Sequence, residues 1–205
     1  MAQITSGVRR VLSHPAVYDA FQLFMGGNST RNDFARDSIR VRPGDNVLDI
    51  GCGTAEIRAF LPEVNYWGFD ISEAYIEAAR KRYGAQGNFV CKLLDYSDLE
   101  TLPKFDVVLG CGLLHHLDSD AANHLFRLAK TALKPGGRLV TIDPCYAKGQ
   151  NPISRLLVSY DRGQNVLTDE GYVKLASSVF SDVTGRVRHQ AWIPYTHWIM
   201  ECRAT

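Results

Sequence analysis

The fold of this chain is decided by the stretch Val47-Leu48-Asp49-Ile50-Gly51-Cys52-Gly53-Thr54-Ala55-Glu56. Its first residues predict a buried strand, its two glycines predict a sharp turn, and a helix-compatible run follows. A strand, a glycine-rich turn and a helix N-terminus together let a small polar ligand approach bare backbone. We therefore expect a binding site around this turn.

The composition is that of a single globular domain. The 205 residues, 45% of them hydrophobic, allow one sizeable core. The 23 basic and 22 acidic residues nearly balance, which argues against a nucleic acid partner or an anionic membrane surface. The first ten residues contain no apolar signal core, and no apolar run is long enough to cross a bilayer, so we expect no membrane insertion.

The cysteines predict neither a metal site nor a disulfide framework. They are five in number, scattered, and form no CxxC pair. A reduced, cytoplasmic protein without a bound metal is the interpretation that this pattern favours.

Short apolar runs alternate with helical patterns, which is typical of a parallel sheet covered by helices. The predicted helices cover residues 14–40, 72–83, 119–133 and 168–180, and we expect Ser72, Asp118 or Ser119, and Thr168 as N-caps. The predicted strands cover residues 46–50, 66–70, 88–94, 105–110 and 138–143, and a hairpin-like pair covers 184–193 and 196–203. The fold class is therefore α/β, with helices on both faces of a doubly wound sheet.

The pattern breaks between residues 144 and 167, and long interruptions of this kind are often functional lids. We expect one domain over residues 1–205. Its parts are an N-terminal helical cap (1–40), a cofactor-binding core (41–143), a lid-like insertion (144–167), and a C-terminal helix with a strand pair (168–205).

Two acids around the glycine turn restrict the ligand. A dinucleotide site has a small residue where this chain has Glu56, and no Gly-Lys-Ser/Thr follows that would indicate a phosphate loop. Asp49, just before the turn, suits a ligand that carries an ammonium group. S-adenosylmethionine is such a ligand, because it contains a cationic amino acid moiety and no diphosphate.

Residues at the ends of later strands match the rest of that ligand. Asp70 can accept hydrogen bonds from both ribose hydroxyls, and Asp95 can accept from the adenine amino group, although a capping role explains Asp95 as well. Ile71 and Leu94 could sandwich the adenine ring. Small residues after the fourth strand leave room for the reactive methyl group, and we interpret Cys52 and Cys111 as small fillers beside the cofactor.

The chain resembles a class I S-adenosylmethionine-dependent methyltransferase of the small-molecule type. The resemblance covers about residues 40–145 and rests on an ordered set of motifs. They are Val47 to Thr54, Gly68-Phe69-Asp70-Ile71-Ser72, Asp95-Tyr96, Phe105-Asp106-Val107-Val108, Leu114-His115-His116-Leu117 and Leu133-Lys134-Pro135-Gly136-Gly137-Arg138-Leu139.

The resemblance implies a Rossmann-like sheet of seven strands, mostly parallel, with an antiparallel last strand. It also implies a set of cofactor-binding residues: Asp49, Gly51, Cys52, Gly53, Asp70, Ile71, Leu94, Asp95, Tyr96 and Cys111. Ala55 departs from the family, which usually has a third glycine there. Alanine should be tolerated unless the residue needs a positive φ.

His115 is the candidate general base for an oxygen nucleophile, since an imidazole titrates near neutral pH. The alternative is that His115 only lines the site while His116 packs in the interior. Candidate acceptor-binding residues lie in the cap and in the lid-like insertion: Tyr18, Tyr146, Tyr160 and Arg162.

The sequence therefore predicts methyl transfer from S-adenosylmethionine to an oxygen, nitrogen or carbon atom of a small molecule. One alternative is a cofactor-binding regulatory protein without catalysis. A nucleic-acid methyltransferase is disfavoured by the neutral charge and by Gly110-Cys111-Gly112-Leu113, where an Asn/Asp-Pro-Pro-aromatic run would be expected. Glu56 disfavours a nicotinamide-dependent oxidoreductase.

Overall fold

The computed structural model describes residues 27–161, 163–190 and 194–205. Residues 14–26 of the helix predicted over 14–40 lie outside this part of the chain, as do the candidate residues Tyr18 and Arg162. The described α-helices are α1 (Gly27–Phe34), α2 (Glu73–Tyr83), α3 (Tyr96–Leu99), α4 (Ser119–Ala132), α5 (Pro152–Ser159) and α6 (Asp169–Ala176), and a π-helical turn, Ala35–Ile39, continues α1. The described strands are β1 (Asn46–Ile50), β2 (Asn65–Asp70), β3 (Asn88–Cys91), β4 (Phe105–Cys111), β5 (Leu133–Pro144), β6 (Asp182–Gln190) and β7 (Tyr195–Arg203).

These strands form one sheet of seven in the order β3-β2-β1-β4-β5-β7-β6. Strands β1 to β5 pair in parallel, and β7 runs antiparallel to both β5 and β6. The predicted doubly wound sheet and its antiparallel last strand are therefore confirmed. The chain turns outward in opposite directions from β1 and β4, and ligands of such sheets bind at this switch point.

Helices cover both faces of the sheet, each over its own hydrophobic core. On one face, Phe126 of α4 and Tyr172 of α6 pack with Leu139 and Met200. On the other face, Ile76 of α2 packs with Val47 and neighbouring strand residues. Two buried layers leave the carboxyl ends of the parallel strands as the edge at which polar side chains are available.

The predicted N-caps of α2, α4 and α6 are confirmed. Ser72 Oγ accepts from the Tyr75 amide, Asp118 Oδ1 accepts from the Ala121 amide, and Thr168 Oγ1 accepts from the Gly171 amide. Side-chain oxygens of this kind satisfy amides that have no partner within the helix.

Several element boundaries differ from the prediction, and α6, for example, ends at Ala176, four residues before the predicted end. The helix-compatible run after the glycine turn is a short 3₁₀ helix, Glu56–Phe60, which ends before Leu61 because the following Pro62 favours an extended Leu61. Strand β3 ends at Cys91, three residues earlier than expected. Strand β5 begins at Leu133, five residues before the predicted start, and residues 134–137 form an irregularity within it, where the pairing jumps from Phe105–Leu133 to Val107–Arg138.

Candidate active site

The glycine turn after β1 has the backbone geometry that its sequence predicts. Gly51 and Gly53 have φ angles of 72° and 55°, a region that favours glycine. The amides of Gly51 and Cys52 donate to the Phe69 carbonyl at 2.8 and 3.0 Å, which fastens the turn to the end of β2. The turn is therefore held against the neighbouring strand at the switch point of the sheet.

Ala55, which stands where the family usually has a glycine, has a φ of 55°. This position therefore does need the left-handed conformation. An alanine there costs about 1–2 kcal/mol relative to the right-handed region. The methyl group is fully buried, and its packing offsets part of this cost. The turn therefore keeps its geometry with alanine at this position, and the backbone of Ala55 is strained.

Cys52 packs over the one glycine of β2. A Cβ atom at Gly68 would lie 2.8 Å from Cys52 Sγ, so the thiol occupies the space that a side chain would need. Burial raises the pKa of Cys52, and also that of Cys111, well above the ordinary value. Neutral, space-filling thiols agree with the interpretation of both residues as fillers rather than nucleophiles.

Asp70 braces the glycine turn from the end of β2. Its Oδ2 accepts from the Gly53 amide at 2.9 Å, and its Oδ1 accepts from the Ser72 amide at 2.8 Å. Each carboxylate oxygen has further lone pairs that can accept hydrogen bonds. Asp70 thus connects the turn to the start of α2 and keeps the capacity to accept hydrogen bonds from a ligand.

Asp49 is a buried acid with one satisfied oxygen. Its Oδ2 accepts from the Tyr66 hydroxyl at 2.5 Å, and within residues 27–161, 163–190 and 194–205 no donor reaches its Oδ1. Burial raises the pKa of Asp49 to about 7, against the lowering effect of the Tyr66 hydrogen bond, and the Asp70 charge adds to the increase. An orphaned carboxylate oxygen beside the glycine turn fits a cationic group of a ligand.

Glu56 is engaged by two arginines. Its Oε2 lies 3.5 Å from Arg31 Nη1, and its Oε1 pairs with Arg82 Nη1. Because Arg31 belongs to α1 and Arg82 to α2, this acid ties both helices to the segment after the turn.

The predicted adenine site is only partly as expected. Ile71 is 56% exposed and Tyr96 is also exposed, but Leu94 is 3% exposed and packs in the core. The exposed neighbour of Leu94 is Leu93, at 64%. The contact of Leu94 with the adenine ring stays a prediction, and the structure places the Leu94 side chain in the core with Leu93 exposed beside it.

Asp95 is the N-cap of α3. Its Oδ1 accepts from the amides of Ser97 and Asp98, and the Asp98 side chain accepts from the Asp95 amide in return. These hydrogen bonds, foremost that from the Ser97 side chain, lower the pKa of Asp95 to about 2. The capping role is therefore present, and Oδ2, 3.4 Å from Lys92 Nζ, is the oxygen on which the predicted adenine contact depends.

His115, in the short 3₁₀ turn after β4, is buried at 6% exposure between two carboxylates. Its Nδ1 lies 2.9 Å from Asp143 Oδ1, and its Nε2 lies 3.2 Å from Asp161 Oδ1. Burial lowers the pKa of the imidazole, but the two acids outweigh it and raise the pKa of His115 to about 9. In this arrangement the ring is an imidazolium ion at neutral pH.

Asp161 is held by three donors. Besides His115, the Tyr195 hydroxyl donates to its Oδ2 at 2.5 Å and the Gly163 amide donates to its Oδ1 at 2.9 Å. Burial raises the pKa of this carboxyl, yet its donors hold the pKa well below the usual range. The structure thus joins β4, β5, β7 and the segment after α5 through one chain of polar contacts.

Three members of this polar chain were missed by the sequence analysis. Asp143 lies at the end of β5, and the same reasoning about strand ends that selected Asp49 and Asp70 would have found it. Asp161 and Tyr195 carry no local signal, because only the fold brings the segment after α5 and the start of β7 to His115.

His116 and the candidate acceptor-binding tyrosines lie outside this chain of polar contacts as described. The ring of His116 lies 4.0 Å from that of His115, centroid to centroid, and is half-buried. Tyr146 is half-buried beneath the Arg155 guanidinium, and Tyr160 is 66% exposed. Within the residues described, no cluster of histidine, cysteine or acidic side chains could hold a metal ion. No described helix is long and apolar enough to cross a membrane.

Comparison with known proteins identifies the family of this chain. A family described as a methyltransferase domain matches residues 48–139. A ubiquinone/menaquinone biosynthesis C-methyltransferase of Paraburkholderia phytofirmans is 30% identical over 197 residues, which are 87% of this chain and 77% of that protein. A 27-O-demethylrifamycin SV methyltransferase of Amycolatopsis mediterranei is 38% identical over 110 residues, 50% of this chain and 40% of that protein.

The fold is also that of solved methyltransferases. The apo structure of the S-adenosylmethionine-dependent methyltransferase SibL superposes with a TM-score of 0.71 at 19% identity, over 97% of this chain and 60% of that one. The fold and these relatives show that this chain belongs to the class I S-adenosylmethionine-dependent methyltransferases. It spans about a third to just over half of the length of most of the curated relatives it matches.

Proposed function

We propose that this protein transfers the methyl group of S-adenosylmethionine to an oxygen, nitrogen or carbon atom of a small-molecule acceptor. The observation that carries the proposal is the buried, unpartnered Oδ1 of Asp49 beside the glycine turn. A buried carboxylate oxygen without a donor is costly, and an ammonium group of the cofactor would satisfy it.

The remaining cofactor contacts follow the strand ends. Asp49 would hold the ammonium group, and the backbone of Gly51, Cys52 and Gly53 would line the amino acid moiety. Asp70 would accept from the ribose hydroxyls. The adenine would lie by Ile71, Tyr96 and Asp95, with Leu93 as the exposed apolar neighbour and Leu94 behind it. Cys111, at the end of β4, would border the reactive methyl group.

The cofactor supplies an electrophilic methyl group that its sulfonium charge already activates. The protein has then to align the acceptor, exclude water and, for a hydroxyl acceptor, remove a proton. His115 is the residue we assign to the proton. Asp143 accepts from its Nδ1 at 2.9 Å, and this contact would fix the ring orientation, so that Nε2 would be the nitrogen that takes the proton once it is free.

The acceptor would lie between the cap and the lid-like insertion, with the domain layout as predicted above. Tyr146 and Tyr160 are described lid residues that could contact it, and Tyr18 and Arg162 remain predictions. Relatives named for O-, N- and C-methylation support a small-molecule acceptor without selecting one. The net charge of +1 disfavours nucleic acid. Five free cysteines support a reduced, cytoplasmic setting.

The test is turnover with isotopically labelled S-adenosylmethionine against panels of phenols, alcohols, amines and activated carbon acids. We expect one panel to be labelled by the wild type. With a hydroxyl acceptor, His115→Gln should lower kcat by about 10²-fold or more while leaving affinity for S-adenosylhomocysteine nearly unchanged.

The matched control is His189→Gln, which changes an exposed histidine of β6. Equal turnover of His115→Gln and wild type would remove His115 from the mechanism. Cofactor binding without labelling of any acceptor would favour the regulatory, non-catalytic alternative.

A further inference from the structure

Neither ring nitrogen of His115 is available in this structure. Nδ1 faces Asp143 and Nε2 faces Asp161, at 2.9 and 3.2 Å. Asp143 lies in the body of the sheet, on β5, whereas Asp161 lies on the segment that follows α5. A general base needs one free, unprotonated nitrogen within hydrogen-bond distance of the acceptor.

The segment that carries Asp161 fits closely against His115. A Cβ atom at Gly163 would lie 2.1 Å from His115 Cδ2, so only glycine can occupy this position while the contact is made. The Asn165 amide donates to the His115 carbonyl at 3.0 Å. The Tyr195 hydroxyl holds the other oxygen of Asp161 from β7. The Asp161 carboxylate is thus held at Nε2 by contacts from several elements.

We propose that Asp161 occupies the position of the acceptor hydroxyl on His115 Nε2, so that Asp161 and the acceptor compete for the base. The inference rests on the proposed function, because it assumes that His115 removes the proton. Methyl transfer then requires Asp161 to leave Nε2. When Asp161 leaves, the imidazolium loses its Nε2 proton to solvent and becomes neutral. The acceptor hydroxyl then takes the place of Asp161 and donates its proton to the freed Nε2 as its oxygen bonds to the methyl group.

The charges around His115 agree with this role. The titratable groups that face His115 or its two acids come from β4 and the turn after it, β5 and the residue after it, β7, α6 and the segment after α5. They are Cys111, His116, Asp143, Cys145, His197, Tyr195, Tyr172 and Asp161. Burial lowers the pKa of His197 to about 4, so this histidine is neutral. With both acids present, the pKa of His115 is raised to about 9, so the ring is protonated and unreactive at neutral pH.

The first experiment measures the His115 titration by NMR in the protein without acceptor. We expect Asp161→Asn, which removes one carboxylate charge and keeps the shape, to lower the pKa of His115 by about one unit or more. Tyr195→Phe removes one hydrogen bond to Asp161 and keeps its charge, so it should lower the pKa of His115 by less. Asp120→Asn, an exposed acid at the start of α4, is the control and should leave the titration unchanged.

The second experiment is the pH profile of kcat/KM. A base whose pKa falls by one unit is about tenfold more available well below that pKa. We therefore expect the rising limb of Asp161→Asn to move to lower pH, with about tenfold higher kcat/KM at pH 7. Gly163→Ala displaces the segment without changing a charge, so it should act in the same direction.

The outcomes are distinguishable. An unchanged His115 titration in Asp161→Asn would overturn the contact itself. A shifted titration with an unshifted pH profile, or with lower kcat at every pH, would overturn the competition and make Asp161 a supporting residue. Absence of turnover in the wild type on every acceptor would instead overturn the proposed function.

Discussion

Tyr66 donates its hydroxyl to Asp49 Oδ2 at 2.5 Å across neighbouring strands β2 and β1. The contact satisfies one oxygen of the buried acid and leaves Oδ1 directed at no donor within the described residues. Cofactor affinity should therefore depend on the protonation state of Asp49.

The first prediction concerns the affinity of the wild type for S-adenosylhomocysteine, whose ammonium group is retained. The pKa of Asp49 is raised to about 7 in the free protein, and a bound cation favours the ionised acid. Affinity should rise by about tenfold or more from pH 5.5 to 7.5, with release of a proton on binding. Calorimetry in buffers of different ionisation enthalpy measures both quantities. A pH-independent affinity of the wild type would contradict the assignment. The Asp49→Asn variant should bind the ligand weakly, with an affinity that does not change over this pH range.

The second prediction concerns Tyr66→Phe. The hydroxyl lowers the pKa of Asp49, so its removal should move the pH at which cofactor affinity increases to a higher value. Loss of a buried hydrogen bond should also lower the free energy of unfolding by about 1–3 kcal/mol. Calorimetry and urea denaturation test the two effects. Tyr83→Phe, in α2 and away from Asp49, is the control. An unchanged pH dependence would mean that Tyr66 only packs.

The third prediction concerns Asp70→Ala, which removes the acceptor for the Gly53 and Ser72 amides and for the ribose. Affinity for S-adenosylhomocysteine should fall by about 1–3 kcal/mol. Affinity can be lost because the glycine turn is disturbed or because the hydrogen bonds to the ribose are missing. The 2′-deoxy analogue of the ligand separates these two causes. The analogue should bind the wild type more weakly than the parent ligand and bind Asp70→Ala about equally. Equal penalties in both proteins would defeat the ribose assignment.

The fourth prediction concerns stability above neutral pH. The pKa of His115 is raised to about 9 in the folded protein, so the stability from its contacts is present below the unfolded pKa and is lost as pH rises through 9. Between pH 7 and 8.5 the free energy of unfolding should fall by about 2 kcal/mol. Urea denaturation across this window measures the slope. His115→Gln should remove it, and an equal slope in that variant would assign it to other groups.

Local chemistry made much of this protein predictable. The strand, the glycine turn and the following acid need only neighbouring residues, and N-caps such as Ser72 and Thr168 act on amides two or three positions away. The alternation of apolar runs with helical patterns predicted the sheet and its helices. A parallel sheet that is covered on both faces needs apolar strands, and this requirement produces the apolar runs. The family resemblance supplied the antiparallel last strand.

Two element ends, that of the run after the glycine turn and that of β3, were not predicted from the hydrophobic pattern. Pro62 ends the run after the turn as a short 3₁₀ helix, and the early end of β3 exchanges Leu93 for Leu94 at the surface. Neither difference is encoded in a hydrophobic period, because the first follows from the proline itself and the second depends on how the segment after β3 packs against its neighbours.

The sequence by itself determined the switch point of the sheet and the acids Asp49 and Asp70 beside it, because a strand, a turn and a cap are fixed by residues a few positions apart. The tertiary structure alone decided that His115 lies between Asp143 and Asp161, with Tyr195 behind the second acid. These contacts join residues 28 and 34 positions apart, as in His115–Asp143 and Asp161–Tyr195. Only the order of the strands and the path of the segment after α5 bring such groups within hydrogen-bond distance.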